Sequence, residues 1–127
     1  MEKRPIYPDR VRKIPRQFSW VDHHLVQHRH IDRLSHSAAA LYLFLVTVAD
    51  AKGLSYYSNE SLTGRLGMRD DTLAEARGEL TKSGLVAYRK PLYQILPLSP
   101  CRPVVEKRAG EIQSLDKILD RIGKGAP

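Results

Sequence analysis

One stretch of this chain constrains its fold more than any other: residues 38–49 are apolar throughout except for Thr47. Leu41, Tyr42, Leu45, Val48 and Ala49 follow the i, i+3, i+4, i+7, i+8 rhythm of a helix face, and Leu43, Phe44 and Val46 make the opposite face apolar as well. A helix that is apolar all round has to be surrounded by other elements. Twelve residues are too few to span a bilayer, so the stretch predicts the central helix of a small folded core, and no membrane association. Ser35 is placed to cap it, because its hydroxyl can accept from an unpaired amide of the first turn. Gly53 is placed to end it near residue 52 in the left-handed conformation.

The pattern downstream is short and punctuated. Residues 54–57 predict a strand, and Ser58 can cap a helix over 59–66 that presents Leu62 and Leu66 inward. Gly67 stops that helix. Asp70 is an N-cap candidate for a second helix over residues 71–83, on which Leu73, Ala76 and Leu80 keep helical spacing, and Gly84 stops it. Residues 85–88 and 92–96 then predict two strands joined by a tight turn at 89–91. Two short helices around a glycine turn, followed by a hairpin, predict a winged helix-turn-helix of α+β class: a three-helix core plus a β-hairpin wing. Ala76 is small enough to let the paired helices approach closely.

The flanks read differently. Residues 1–17 hold Pro5, Pro8 and Pro15 among charges and predict a disordered arm. Residues 18–21, Phe-Ser-Trp-Val, predict a strand, and 23–34 a short helix or irregular lead-in to the domain at 18–98. Residues 99–110 predict a proline-rich linker. Residues 111–123 predict an amphipathic C-terminal helix with Ile112, Leu115, Ile118, Leu119 and Ile122 on one stripe, suited to a second copy or a protein partner.

The net charge of +7 is unevenly placed. Residues 1–16 carry six basic and two acidic side chains, whereas residues 36–98 carry seven basic and six acidic. Basic arms hold phosphate backbones, although charge runs also serve only to solubilise a chain. The second helix departs from a DNA-reading pattern: Asp71, Thr72, Ala74, Glu75, Gly78 and Glu79 form its expected outer face, and residues 69–84 sum to −1. Acids near a helix start suit its dipole without further meaning. Glu75 and Asp71 can also accept from cytosine amino groups in a major groove.

Two readings of that surface follow. In one, Arg65, Arg69, Thr72, Arg77, Arg89 and Lys90 grip duplex DNA with Glu75 facing the bases, and Arg12, Lys13 and Arg16 of the arm add affinity. In the other, the helix face docks a protein, with Ala74 and Gly78 permitting close contact. The stretch Leu54-Ser-Tyr-Tyr-Ser-Asn-Glu-Ser-Leu-Thr-Gly-Arg-Leu-Gly67, then Thr72-Leu-Ala-Glu-Ala-Arg-Gly-Glu-Leu80, then Ser83-Gly-Leu-Val86, resembles the N-terminal domain of DnaD-type replication-initiator and primosomal proteins. It is also similar to small helix-turn-helix proteins encoded beside bacterial transposase genes. The resemblance covers residues 18–96. It implies a cytoplasmic DNA-binding accessory factor of replication, transposition or transcription in a bacterium or mobile element.

Other chemistry finds little footing. All five histidines lie between His23 and His36, and His24 and His28 would share a helix face as metal ligands can. Only Asp22 and Asp32 stand near enough in sequence to complete a set, so no metal or cofactor is expected. Cys101 is the one cysteine, which excludes an internal disulfide and suits a reducing cytosol. No phosphate-binding loop or nucleophile elbow is present, and no enzymatic activity is expected.

Overall fold

The computed structural model describes residues 2–98. The linker and the amphipathic segment expected beyond them lie outside the described residues. Helix α1 (His24–Gln27) leads through a 3-10 turn at Ile31–Arg33 into helix α2 (His36–Val48). Strand β1 (Leu54–Tyr56), helices α3 (Asn59–Leu66) and α4 (Asp70–Lys82), and strands β2 (Val86–Arg89) and β3 (Leu92–Ile95) follow. The strands form one antiparallel sheet in the order β1-β3-β2, with Tyr88 opposite Tyr93 and Ser55 opposite the same tyrosine on the other edge. This is a small winged helix-turn-helix of α+β class.

The central role expected of α2 is what the structure shows. Ser35 Oγ accepts from the Ala38 amide at 3.1 Å. Ala38, Leu41, Tyr42, Leu45 and Val46 are buried, and Phe44 and Val48 are half-buried. Only Leu43 and Thr47 are exposed in the second half of the helix, flanked by the half-buried Phe44 and Val48. Leu62, Leu73, Ala76, Leu80, Leu85, Val86 and Tyr93 close the core around it, and Leu25 of α1 seals one end.

Where α2 ends is a correction. It stops at Val48, with Ala49 extended, rather than near Lys52. Asp50 competes for the backbone: its carboxylate accepts from the amides of Lys52 at 2.8 Å and Leu54 at 2.9 Å. Those bonds hold the Asp50 carboxyl below the usual aspartate range, the Leu54 amide contributing most. Gly53 therefore serves the turn into β1 and not a helix end. Its φ is +83°, and an added Cβ would stand 2.9 Å from the Ile95 carbonyl oxygen.

The stops around the helix-turn-helix fall as expected. Ser58 caps α3 by accepting from Ser61, and Gly67 ends it at φ +64°. After α4, the amide of Leu85 donates to the carbonyl of Leu80 and that of Gly84 to Thr81. These paired bonds, with buried Leu80 and Leu85 in register, form a Schellman motif. Asp70 is not the cap of α4 but its first residue, and Arg69 occupies the cap position with no side-chain bond. Asp70 and Asp71 thus support the helix through its dipole.

Residues 18–21 form no strand. Ser19 Oγ donates to the Thr47 carbonyl at 3.0 Å, which ties the segment to the end of α2 and away from either sheet edge. Residues 2–20 are exposed throughout, with a single 3-10 turn at Pro8–Arg10.

Candidate nucleic-acid interface

A helix-turn-helix presents three surfaces to a duplex: the turn, the outer face of the second helix, and the wing. In α4 the buried stripe is Leu73, Ala76 and Leu80. The residues left exposed on the opposite side are Asp71, Ala74, Glu75, Gly78 and Lys82. Lys82, at the C-terminal end, is the only cation among them and was not singled out by the sequence pattern.

Glu79 of the expected outer face and Arg77 of the expected DNA contacts prove to be tied inward. Glu79 receives two bonds from Ser35, one from its amide at 2.8 Å and one from its hydroxyl at 2.7 Å. The amide bond is the larger cause of a carboxyl held below the usual glutamate range. Ser35 thereby caps α2 with the same hydroxyl that it offers to α4, and the pair fastens the start of the central helix to the second helix of the motif. Arg77 is half-buried on the other border of the stripe. Its Nε donates to the Tyr93 hydroxyl at 3.1 Å, Nη2 donates to the Asn59 side-chain oxygen, and the guanidinium lies 4.4 Å from the centre of the Tyr88 ring. One side chain of α4 thus spans the first residue of α3 and both strands of the wing. Burial pushes the Tyr93 hydroxyl above its usual range, and the nearby Arg77 charge opposes that rise.

The helical register contains a signal for both residues. Arg77 follows Ala76 and precedes Leu80 by three, and Glu79 directly precedes Leu80, so each borders the buried stripe. Their partners, 16 to 44 residues away, carry no local signal.

The remaining expected contacts fall in three groups. Arg65, exposed near the end of α3, lies 5.9 Å from the Phe44 ring centre, and Arg69 lies just past Gly67, so the two cations flank the turn. Arg69 Nη2 meets Asp71 at 3.2 Å, and Asp71 also accepts from the Thr72 amide. Both side chains of that ion pair are mostly exposed, so it holds Arg69 only weakly. Thr72 is half-buried in the first turn of α4, and Glu75 is exposed with no side-chain bond among those described. Arg89 and Lys90 are exposed at the tip of the wing, where a two-residue turn reverses the chain. Arg12, Lys13 and Arg16 are exposed on the arm.

The histidines gather but do not form a ligand set. The rings of His24 and His28 stack at 4.4 Å between centres, and His28 and His30 stand 6.3 Å apart. Asp22 receives the His24 amide, the main cause of a carboxyl below its usual range. Among the described residues no group of three or more His, Cys, Asp or Glu is placed to hold a metal ion. Nor is any described helix long and apolar enough to cross a membrane.

Residues 32–86 match the family model of a helix-turn-helix domain. The match takes in α2, β1 and both helices of the motif, and it ends at the first residue of the wing. No curated protein matches the chain, and no solved structure does.

Proposed function

We propose that the chain binds duplex DNA through phosphate contacts from the turn, the wing tip and the arm, with little reading of sequence. The carrying observation is the distribution of exposed cations on this fold. Arg65 and Arg69 flank the turn, and Arg89 and Lys90 cap the wing. The intervening face of α4 has one acid with no side-chain bond, Glu75, and a lone cation at its far end. Such a face contributes little phosphate affinity, so the arm, net +4 over residues 1–16, supplies much of it. Arg77 is engaged in packing and is left out of the phosphate set, and Thr72 and Glu75 are the residues of α4 that would approach base edges.

In this reading the protein is a cytoplasmic, nucleoid-associated accessory factor of replication, transposition or transcription control in a bacterium or mobile element, as the resemblance to DnaD-type and transposon-associated proteins implies. It acts as a binding protein rather than an enzyme and needs no cofactor. The test is binding to a random-sequence duplex over a salt series. Each phosphate contact contributes about −0.9 to the slope of log K against log salt. The double variant Arg69→Ala, Lys90→Ala should therefore flatten the slope by about 2. An affinity that does not fall with salt refutes the phosphate grip.

A second reading is favoured by one observation. The exposed face of α4 combines Glu75 with the small residues Ala74 and Gly78, which suits a docked helix better than a phosphate backbone. A protein adaptor of that kind would pair through α4 or through Ile112, Leu115, Ile118, Leu119 and Ile122. Removing residues 104–127 and measuring mass in solution tests self-pairing: a monomer with and without them counts against it.

A further inference from the structure

The arm carries more than charge. Ile6, Tyr7, Phe18 and Trp20 are 88%, 61%, 63% and 76% exposed, and Val11 and Ile14 between them are exposed as well. Three of the first four are aromatic, and Arg10, Arg12, Lys13 and Arg16 lie between Tyr7 and Phe18. The Arg10 guanidinium already lies 5.4 Å from the centre of the Tyr7 ring. Ser19 is turned inward onto the Thr47 carbonyl, so its neighbours Phe18 and Trp20 are the side chains left facing solvent. With one residue between them, their Cα atoms stand at most about 7 Å apart, roughly the depth of two stacked bases.

From this arrangement we infer that the arm is a binding site for single-stranded nucleic acid, with Phe18, Trp20 and Tyr7 as stacking platforms and the arm's basic residues on the backbone. The physical argument is selective. A duplex hides its base faces in its own stack, so exposed rings on a basic segment gain little from it beyond charge. A single strand offers both a π-face on every base and phosphates in between, the combination that non-specific single-strand binders use. A protein partner for the same rings would need a continuous apolar stripe, whereas Pro8, Pro15 and four cations interrupt the run from Tyr7 through Val11 and Ile14 to Phe18. The inference shares only the arm's cations with the duplex reading. It would equip the protein for junctions where a duplex opens, the domain on the paired side and the arm on the unpaired strand.

Trp20 is the only tryptophan in the chain, so its fluorescence reports on this site directly. The full-length protein is titrated with oligothymidylate of about 15 nucleotides, within the usual single-strand site sizes, and separately with a duplex of equal length. Quenching of Trp20 by the single strand, reversed by salt, is expected, with the duplex quenching it much less. Trp20→Leu should weaken single-strand affinity about 5- to 150-fold, the range a lost base stack gives, and Trp20→Phe should retain most of it. Circular dichroism checks that both variants fold.

Equal affinity for wild type and Trp20→Leu overturns the inference. So does equal quenching by the duplex, or an emission typical of a buried indole in the free protein, which would mean that a protein surface already covers the ring. The duplex reading fails separately: if Arg69→Ala, Lys90→Ala leaves duplex affinity intact while the single strand still quenches Trp20, the duplex interface falls and the single-strand site stands.

Discussion

Replacing Arg77 with alanine separates a structural arginine from a DNA-binding one. In the structure Arg77 makes three contacts that tie α4 to α3 and to the wing. The Tyr93 residue it serves is fully buried, so removing the donor leaves a phenol oxygen short of a partner, at about 1–3 kcal/mol. The stack on Tyr88, partly shielded from water, is worth about 0.5–2 kcal/mol. The bond to Asn59 adds about 0.5–1.5 kcal/mol. These terms share one side chain and do not add in full, so Arg77→Ala should destabilise the domain by about 2–4 kcal/mol. For a domain of this size each kcal/mol lowers the melting temperature by about 4–8 °C. A fall of about 8–32 °C in a thermal melt followed by circular dichroism is therefore expected.

The controls make this result specific. Arg77→Lys keeps the charge but loses the planar fork and most of the stack, and should recover less than half of the loss. A double-mutant cycle of Arg77→Ala with Tyr88→Leu should show a coupling of about 0.5–2 kcal/mol. Below the variant's melting point, duplex affinity should equal that of wild type, because the guanidinium is engaged by protein. An unchanged melt with a clear loss of duplex affinity would refute the packing role and return Arg77 to the phosphate grip.

Deleting residues 2–16 should weaken duplex binding and flatten its salt slope while leaving the melt unchanged, and an unaltered duplex affinity removes the arm from the duplex site. Glu79→Gln tests the link to Ser35: the folded-state carboxyl sits below its unfolded value, so its contribution is present above the ordinary glutamate value of 4.5 and is lost as pH falls through and below it. Acid unfolding should accordingly be shallower in Glu79→Gln than in wild type, and parallel curves would show that the two bonds contribute nothing. Gly53→Ala should cost about 1–3 kcal/mol, since the residue is left-handed and the new Cβ meets backbone. Gly78 has ordinary helical dihedrals and open space, so Gly78→Ala should raise stability by about 0.5–1 kcal/mol in the same melts.

What the sequence shows of this fold is what lies close together along the chain. The caps at Ser35 and Ser58, the glycine stops at Gly67 and Gly84, and the inward stripe of Leu73, Ala76 and Leu80 each rest on residues within a turn or two of one another. The end of α2 is obscured because residues 49–52 include good helix formers, and only the carboxylate of Asp50, bonded to Lys52 and Leu54, breaks the run. The strand expected at 18–21 has suitable side chains but joins neither edge of the sheet. β1 and β2 flank β3, and Ser19 is held at α2 instead. Composition is blind to such choices, because they depend on which surface is nearest once the core has closed.

The charge on α4 shows why the interface was harder to read than the fold. Counted along the sequence, residues 69–84 come to −1, which argues against phosphate binding. In space those charges have different addresses. Asp70 and Asp71 sit on the positive end of the helix, and Glu79 turns to Ser35 on one border of the buried stripe. Arg77 turns to the wing on the other border. Glu79 and Arg77 are withdrawn together, so their charges cancel, and the outer face keeps Asp71, Glu75 and Lys82, a net −1 that does not grip phosphates. A second helix without a net cation shifts the burden of affinity to cations elsewhere, and among the described residues of the motif and arm those stand at the turn, the wing tip and the arm. If Glu75→Lys, which adds a cation to that face, raises duplex affinity about tenfold with a steeper salt slope, the face already lies against DNA and lacks only charge. No gain from the same variant would place α4 away from the backbone and favour the adaptor reading.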